Sequence, residues 1–141
     1  MKIQITESKD KNVEGYNNIN ITHCAGSLPQ IVNHSCEEVV LNNSLSKLAR
    51  QESLEVLDLA CSRLRINGKI SIYDVDARSL CRDYVNKRID QITMSKELFD
   101  LTNCIEIGEV RQVLRQHGII VETCCIKGYQ YELTGLRKNS S

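Results

Sequence analysis

The stretch Leu64-Arg65-Ile66-Asn67-Gly68-Lys69-Ile70-Ser71-Ile72-Tyr73-Asp74-Val75-Asp76 decides how this chain folds, because the period of its apolar residues changes there. Upstream, Leu45, Leu48, Ala49, Leu54, Leu57, Ala60, Cys61 and Leu64 recur at spacings of three and four. That pattern predicts an amphipathic helix, interrupted near Gln51. Asn67-Gly68 suits a left-handed backbone and predicts the stop. From Lys69 to Val75, Ile70 and Ile72 alternate with polar neighbours, which predicts a strand. Asp76 then stands as an N-cap for a further helix, whose apolar residues Leu80, Cys81, Tyr84 and Val85 share one face and which ends before Ile92. Helix, tight turn, strand and capped helix make one step of an α/β sheet.

The same alternation of elements extends in both directions. Ile3 and Ile5 predict a first strand, and Ile19 to Ile21 a second one after Gly15-Tyr16. Val39-Val40-Leu41, between Glu37-Glu38 and Asn42-Asn43, is a short apolar run of the kind that buried parallel strands show. Residues 22–35 carry no clear period. Toward the other end, Val110, Val113, Leu114 and His117 predict a helix stopped by Gly118, and Ile119-Ile120-Val121 begins a strand. Lys127-Gly128 predicts a turn, after which Tyr129, Tyr131 and Leu133 alternate with polar residues as a last strand. The expected fold is one α/β domain over residues 1–141 with a Rossmann-like, doubly wound sheet covered on both faces. The sheet is mostly parallel and ends in an antiparallel C-terminal hairpin strand.

Composition narrows the function classes. With 141 residues, 41% hydrophobic and 26% charged, the chain has material for one core. Eighteen basic and eighteen acidic residues cancel, so no overall field draws in nucleic acid or an anionic membrane, and a partner must be recognised locally. No run approaches the length of a membrane span, and Met1-Lys2-Ile3-Gln4-Ile5 alternates like a strand rather than resembling a signal peptide. A cytoplasmic protein is the expectation. Seven cysteines, at 24, 36, 61, 81, 104, 124 and 125, include no C-x-x-C pair, which argues against a zinc site and for small hydrophobes in a reducing compartment. No metal is expected. His23, His34 and His117 stand far apart and form no nucleophile or metal pattern.

Four segments together resemble the class I S-adenosylmethionine-dependent methyltransferases, especially compact, methyltransferase type 11-like members. Leu64 to Asp76 is similar to the family segment in which a helix ends in L-K-P-G-G before the fifth strand and an aspartate. Glu37 to Leu45 resembles the fourth strand and its turn, Gly15-Tyr16-Asn17-Asn18-Ile19-Asn20 the entry to the second strand, and Val113 to Ile119 the entry to the sixth. The resemblance implies a cofactor, S-adenosylmethionine, lying across the carboxyl ends of the first, second and fourth strands. The positions it assigns to cofactor binding are Thr6, Glu7, Ser8, Asn20, Ile21, Leu41, Asn42 and Asn43. It assigns no catalytic residue, because methyl transfer needs alignment of an acceptor with the sulfonium methyl more than covalent help. The partners it implies are a methyl acceptor or a protein partner, with a homo-oligomer among the arrangements expected. It also implies an open site, since the sequence starts at the first strand without the helices that cover substrate in relatives.

Three positions depart from the family pattern. The glycine-rich loop after the first strand lets backbone approach the cofactor, and here it reads Thr6-Glu7-Ser8-Lys9-Asp10-Lys11. Asn20 replaces the acidic residue that accepts hydrogen bonds from both ribose hydroxyls. Asn43, Ser46 and Lys47 replace the histidine and glutamate of the turn after the fourth strand. A polar solvated turn explains Glu7 to Asp10 as well as a remodelled loop does, and capping explains Asp76 better than catalysis. Two functions therefore stand side by side: a methyltransferase, and a catalytically inactive methyltransferase-fold protein used as a binding or assembly scaffold. Nucleotide or sugar handling by a similar sheet is a third.

Overall fold

The computed structural model describes residues 1–7 and 9–138. Its strands are β1 (Lys2–Thr6), β2 (Asn17–Asn20), β3 (Cys36–Asn42), β4 (Leu64–Val75), β5 (Ile119–Lys127) and β6 (Gln130–Arg137). Its helices are α1 (Cys24–Ser27), α2 (Arg50–Arg63), α3 (Ala77–Val85), α4 (Gln91–Asp100) and α5 (Ile107–Gln116). Short 3-10 turns occupy Lys9–Lys11, Leu28–Gln30 and Leu45–Lys47. The six strands form one sheet in the order β2-β1-β3-β4-β6-β5. β2, β1, β3 and β4 run parallel, and the β5–β6 hairpin adds antiparallel pairing. This is the Rossmann-like α/β sheet expected, with the strand order reversing direction at β1.

Several boundaries move for identifiable reasons. Strand β4 begins at Leu64, before Asn67-Gly68. The last turn of α2 is closed instead by the Leu64 N–H, which donates to the Cys61 carbonyl, and by Arg137, whose Nη1 donates at 2.9 Å to the carbonyls of Cys61 and Leu64. Asn67 does adopt a left-handed φ of 65°, but within the strand. The break expected near Gln51 falls at Leu48 and Ala49, both extended, between the 3-10 turn and α2. Residues 22–35 form α1 and a 3-10 turn, so the chain passes from β2 to β3, the strand that the resemblance numbers fourth. Helix α4 has no counterpart in the sequence reading; the Asp90 carboxylate caps it by accepting from the Thr93 N–H at 2.7 Å. Asp76 caps α3 as expected, accepting from the Ser79 N–H at 3.3 Å.

The two faces of the sheet differ in chemistry. The core cluster takes Ile3 and Ile5 from β1, Val39 and Leu41 from β3, Ile70 and Ile72 from β4, and Tyr131 and Leu133 from β6. These positions lie on one face of the sheet, packed by Cys24 of α1, Val56, Leu57, Ala60 and Cys61 of α2, and Val110 and Leu114 of α5. The opposite face carries Lys2, Gln4 and Thr6, then Glu38, Val40 and Asn42, then Lys69, Ser71 and Tyr73, then Leu136, Thr134 and Glu132 in register. Gln4, Thr6 and Ser71 on this face are buried, and the Gln4 amide donates at 2.8 Å to the Lys11 carbonyl and to Asn18 Oδ1, beneath the crossover from β1 to β2. Connection handedness explains the apolar side: the connections from β2 to β3, β3 to β4 and β4 to β5 all step the same way along the sheet, and α1, α2 and α5 pack on one face, whereas the crossover from β1 to β2 steps the other way.

Candidate functional site

In open α/β sheets, ligands bind where strand order reverses, at the carboxyl ends of the two strands that diverge. Here that point lies between β1 and β3, which end at Thr6 and Asn42 side by side. Most sequence-assigned positions gather there. Ile21 follows β2 and donates its N–H to the Thr6 carbonyl at 3.0 Å. Leu41 is fully buried in the core. Asn43 adopts a φ of 53° and donates its N–H to the Tyr73 carbonyl at 2.7 Å, while its side chain donates to Asn42 Oδ1 at 3.0 Å. Ser8 lies outside the described residues.

The groups at this point are engaged with one another. The Glu7 carboxylate pairs with Lys11 at 3.2 Å and, across the point of reversal, with Lys47 at 3.9 Å. Lys47 also donates to the Asp100 carbonyl at 2.9 Å, tying the turn after β3 to the end of α4. Asn20 Oδ1 accepts from the N–H and hydroxyl of Thr22 at 2.9 and 2.8 Å, and its amide donates to the Glu7 carbonyl at 3.4 Å. The Ser44 hydroxyl donates to the Ile5 carbonyl at 2.6 Å, joining the ends of β3 and β1. Thr6 is buried, with its hydroxyl lacking a hydrogen-bond partner.

A second closure lies over the ends of β3 and β4. The segment after α4 is stitched down by the Thr102 and Asn103 N–H groups, which donate to the Ser46 carbonyl at 2.7 and 3.3 Å, and by the Asn103 amide, which donates to the Leu45 and Leu48 carbonyls. Beneath it sits Asp74, 2% exposed, accepting from the N–H groups of Val75 at 2.8 Å and Ser46 at 3.1 Å. Burial pushes its pKa above the ordinary carboxylate value, against the opposing pull of these donors and the Lys47 charge. The space left around Asp74, Ser46 and Asn103 is about 10 Å³, room for roughly one water. Two larger clefts lie to either side. One of about 350 Å³ separates Asp76, Ala77 and Arg78 from Cys104 to Glu109, and one of about 570 Å³ runs between the free edge of β2 and Ile31 and Val32.

The sequence-assigned positions lie at the ends of β1, β2 and β3, and sequence reasoning missed the closures over them. Asn103 carried no signal, because its partners are more than fifty positions away. Among the described residues no cluster of three His, Cys, Asp or Glu side chains forms a metal centre, and no helix is long and apolar enough to cross a membrane. Tyr131 is buried in the core, while Tyr129 sits in the hairpin turn with its hydroxyl donating to Glu97 at 3.2 Å.

No protein-family model matches the chain, and no curated protein matches it. Solved structures do. A SAM-dependent methyltransferase from Archaeoglobus fulgidus superposes with a TM-score of 0.64 at 13% identity, over 95% of this chain and 75% of that one. An O-methyltransferase family protein from Burkholderia thailandensis gives 0.59 at 17% identity, over 89% of this chain, which spans only 36% of that protein. Magnesium protoporphyrin IX methyltransferase from Synechocystis, solved with bound SAH, gives 0.54 at 10% identity over 89% of this chain and 54% of its own length. The fold is that of the class I SAM-dependent methyltransferases. Identities this low establish the architecture alone.

Proposed function

We infer that this chain is a methyltransferase-fold protein whose cofactor crevice is filled by its own side chains, and that it acts as a binding or assembly scaffold. The observation that carries this reading is Glu7. In the position where the resemblance expects residues that let the cofactor approach the backbone, a carboxylate spans the crevice to Lys47 and Lys11. The residues present do not fit S-adenosylmethionine. Thr6 brings a Cβ and a buried hydroxyl to the end of β1, and the Asn20 amide is used by its own turn instead of facing a ribose. The strap through Asn103 covers the ends of β3 and β4.

Active methyl transfer to an unidentified acceptor is the second reading, favoured by the solved neighbours, with a type 11-like subtype as its finest form. Calorimetric titration of the purified chain with S-adenosylmethionine separates the two. The scaffold reading expects no heat up to millimolar cofactor. Micromolar binding that Asn20→Ala abolishes would overturn it. Adenosine alone, titrated in the same way, tests for the nucleotide-handling alternative.

A further inference from the structure

We propose that Cys81 and Cys104 form a reversible disulfide, with a low-molecular-weight disulfide such as oxidised glutathione as the oxidant, and that the bond clamps the strap after α4 to α3. The proposal is independent of the state of the crevice, since neither cysteine lies at the ends of β1 and β3.

The cysteines of this chain divide by environment. Cys24, Cys36 and Cys61 are buried, as small hydrophobes are, whereas Cys81 on α3 and Cys104 on the strap are exposed. An exposed thiol adds nothing to a core, and its chemistry decides its use. The chain between these two carries α4, which buries no residue.

The fold brings the two segments together. Cys104 stands on one side of the cleft of about 350 Å³, and Ala77, in the first turn of α3, stands on the other. Cys81 is four residues on from Ala77, so the two share a helical face with their Cβ atoms about 6 Å apart. Cys81 therefore continues the side of the cleft opposite Cys104. Both positions are anchored. Leu80, beside Cys81, is fully buried, and Asp76 caps the helix. Thr102 and Asn103, just before Cys104, donate to the Ser46 carbonyl, and Ile105, just after it, is buried. Thiols held on anchored segments meet at a high effective concentration.

The titration of Cys104 agrees with this placement. Burial raises its pKa most, the charge of a Cys81 thiolate raises it next, and Asp74 adds to both. Repulsion of that kind between partly exposed groups fades beyond about 10 Å, so the two sulfurs are neighbours.

The same surroundings order the chemistry. Cys104 is held toward the neutral thiol, so attack begins at Cys81. The Cys81 thiolate attacks one sulfur of the reagent, forming a mixed disulfide, and the released reagent thiolate takes up the proton that Cys81 gave up. Cys81 is now uncharged and no longer opposes ionisation of Cys104. The Cys104 thiolate attacks the Cys81 sulfur, closes the protein disulfide and expels the second reagent thiolate, which takes the second proton. Two protein thiols are oxidised, and one reagent disulfide is reduced to two thiols. The closed loop contains α4, so the bond restrains the opening of that helix from the domain.

Incubation of the purified, reduced chain with millimolar oxidised glutathione under native conditions, followed by alkylation and peptide mapping, tests the proposal. The expected product joins the Cys81 and Cys104 peptides, retains glutathione at neither position and reverts with dithiothreitol. Cys104→Ser should leave glutathione on Cys81, which then lacks its resolving partner. Both cysteines are exposed, so serine at either position leaves the fold intact. Limited proteolysis reads the clamp: cleavage within α4 should slow by at least about tenfold in the oxidised chain. Wild-type thiols at 81 and 104 that stay free, or that keep glutathione, would overturn the proposal. So would a bond from either one to a different cysteine or to a second chain, or equal cleavage of α4 in the two forms.

Discussion

Val39 and Val40 are neighbours in the chain and face opposite environments. Val39 is fully buried against the helical layer, whereas Val40 is only partly buried, on the opposite face. The central strands repeat a contrast of chemistry: Ile3 and Ile5 against Gln4 and Thr6, Ile70 and Ile72 against Ser71 and Tyr73, although Gln4, Thr6 and Ser71 are themselves buried. Both faces belong to the same strands, share the same hydrogen bonds and differ only in what the connections deliver to them. The apolar burial that stabilises this fold is therefore one-sided, and a substitution should reveal which side it is on.

The largest effect is expected at Ile72. Truncating Ile72 to alanine leaves a cavity between β4 and the helical layer and should cost about 2–5 kcal/mol, read from the urea midpoint at constant slope. A loss that small-to-negligible at Ile72, or one as large at Thr134→Ala, would break the contrast. Gly135 comes next. A Cβ there would stand 2.7 Å from Ile119 Cγ2 and 3.3 Å from both Ile70 Cγ2 and the Ile120 carbonyl, so Gly135→Ala should cost about 1–3 kcal/mol through overpacking.

Asp74 sharpens the comparison, because it is a carboxylate on the packed side. Its folded pKa is raised above the unfolded value, so the folded state holds a proton that the unfolded chain has released. Its contribution to stability is fully present below the ordinary carboxylate value and is lost as pH rises through the raised one. Denaturant midpoints across the acidic range should show this decline in the wild type, and Asp74→Asn should flatten it while costing about 1–3 kcal/mol for the backbone donor it leaves unpaired. A decline of equal size in both proteins would assign it to other groups. The smallest effect belongs to the valines. At high dilution Val40→Thr should change stability by no more than about 0.5 kcal/mol, whereas Val39→Thr, burying an extra hydroxyl, should cost about 1–3 kcal/mol.

The strand and helix order was legible because its signals are local. Ile70 and Ile72 alternate, Asp76 caps, and Gly118 takes a φ of 70° just after α5. The one-sided apolar core was also written there, since Lys2-Ile3-Gln4-Ile5-Thr6 and Lys69-Ile70-Ser71-Ile72-Tyr73 alternate apolar with polar residues. Helix α4 escaped notice because it buries no residue, so Ile92, Leu98 and Phe99 stand exposed without marking an inner face. The closure of the crevice could not be read at all. Glu7 and Lys47 meet across forty positions, and only the pairing of β1 with β3 brings them together.

The short crossover from β1 to β2 also makes the fold unusually easy to extend. A right-handed connection at this place emerges on the face opposite the apolar core, so a helix inserted between Lys11 and Gly15 would lie on the side of Gln4 and Thr6. The turn is thus a natural point of insertion. A single added helix there would thicken the polar side of the sheet and leave the apolar core untouched.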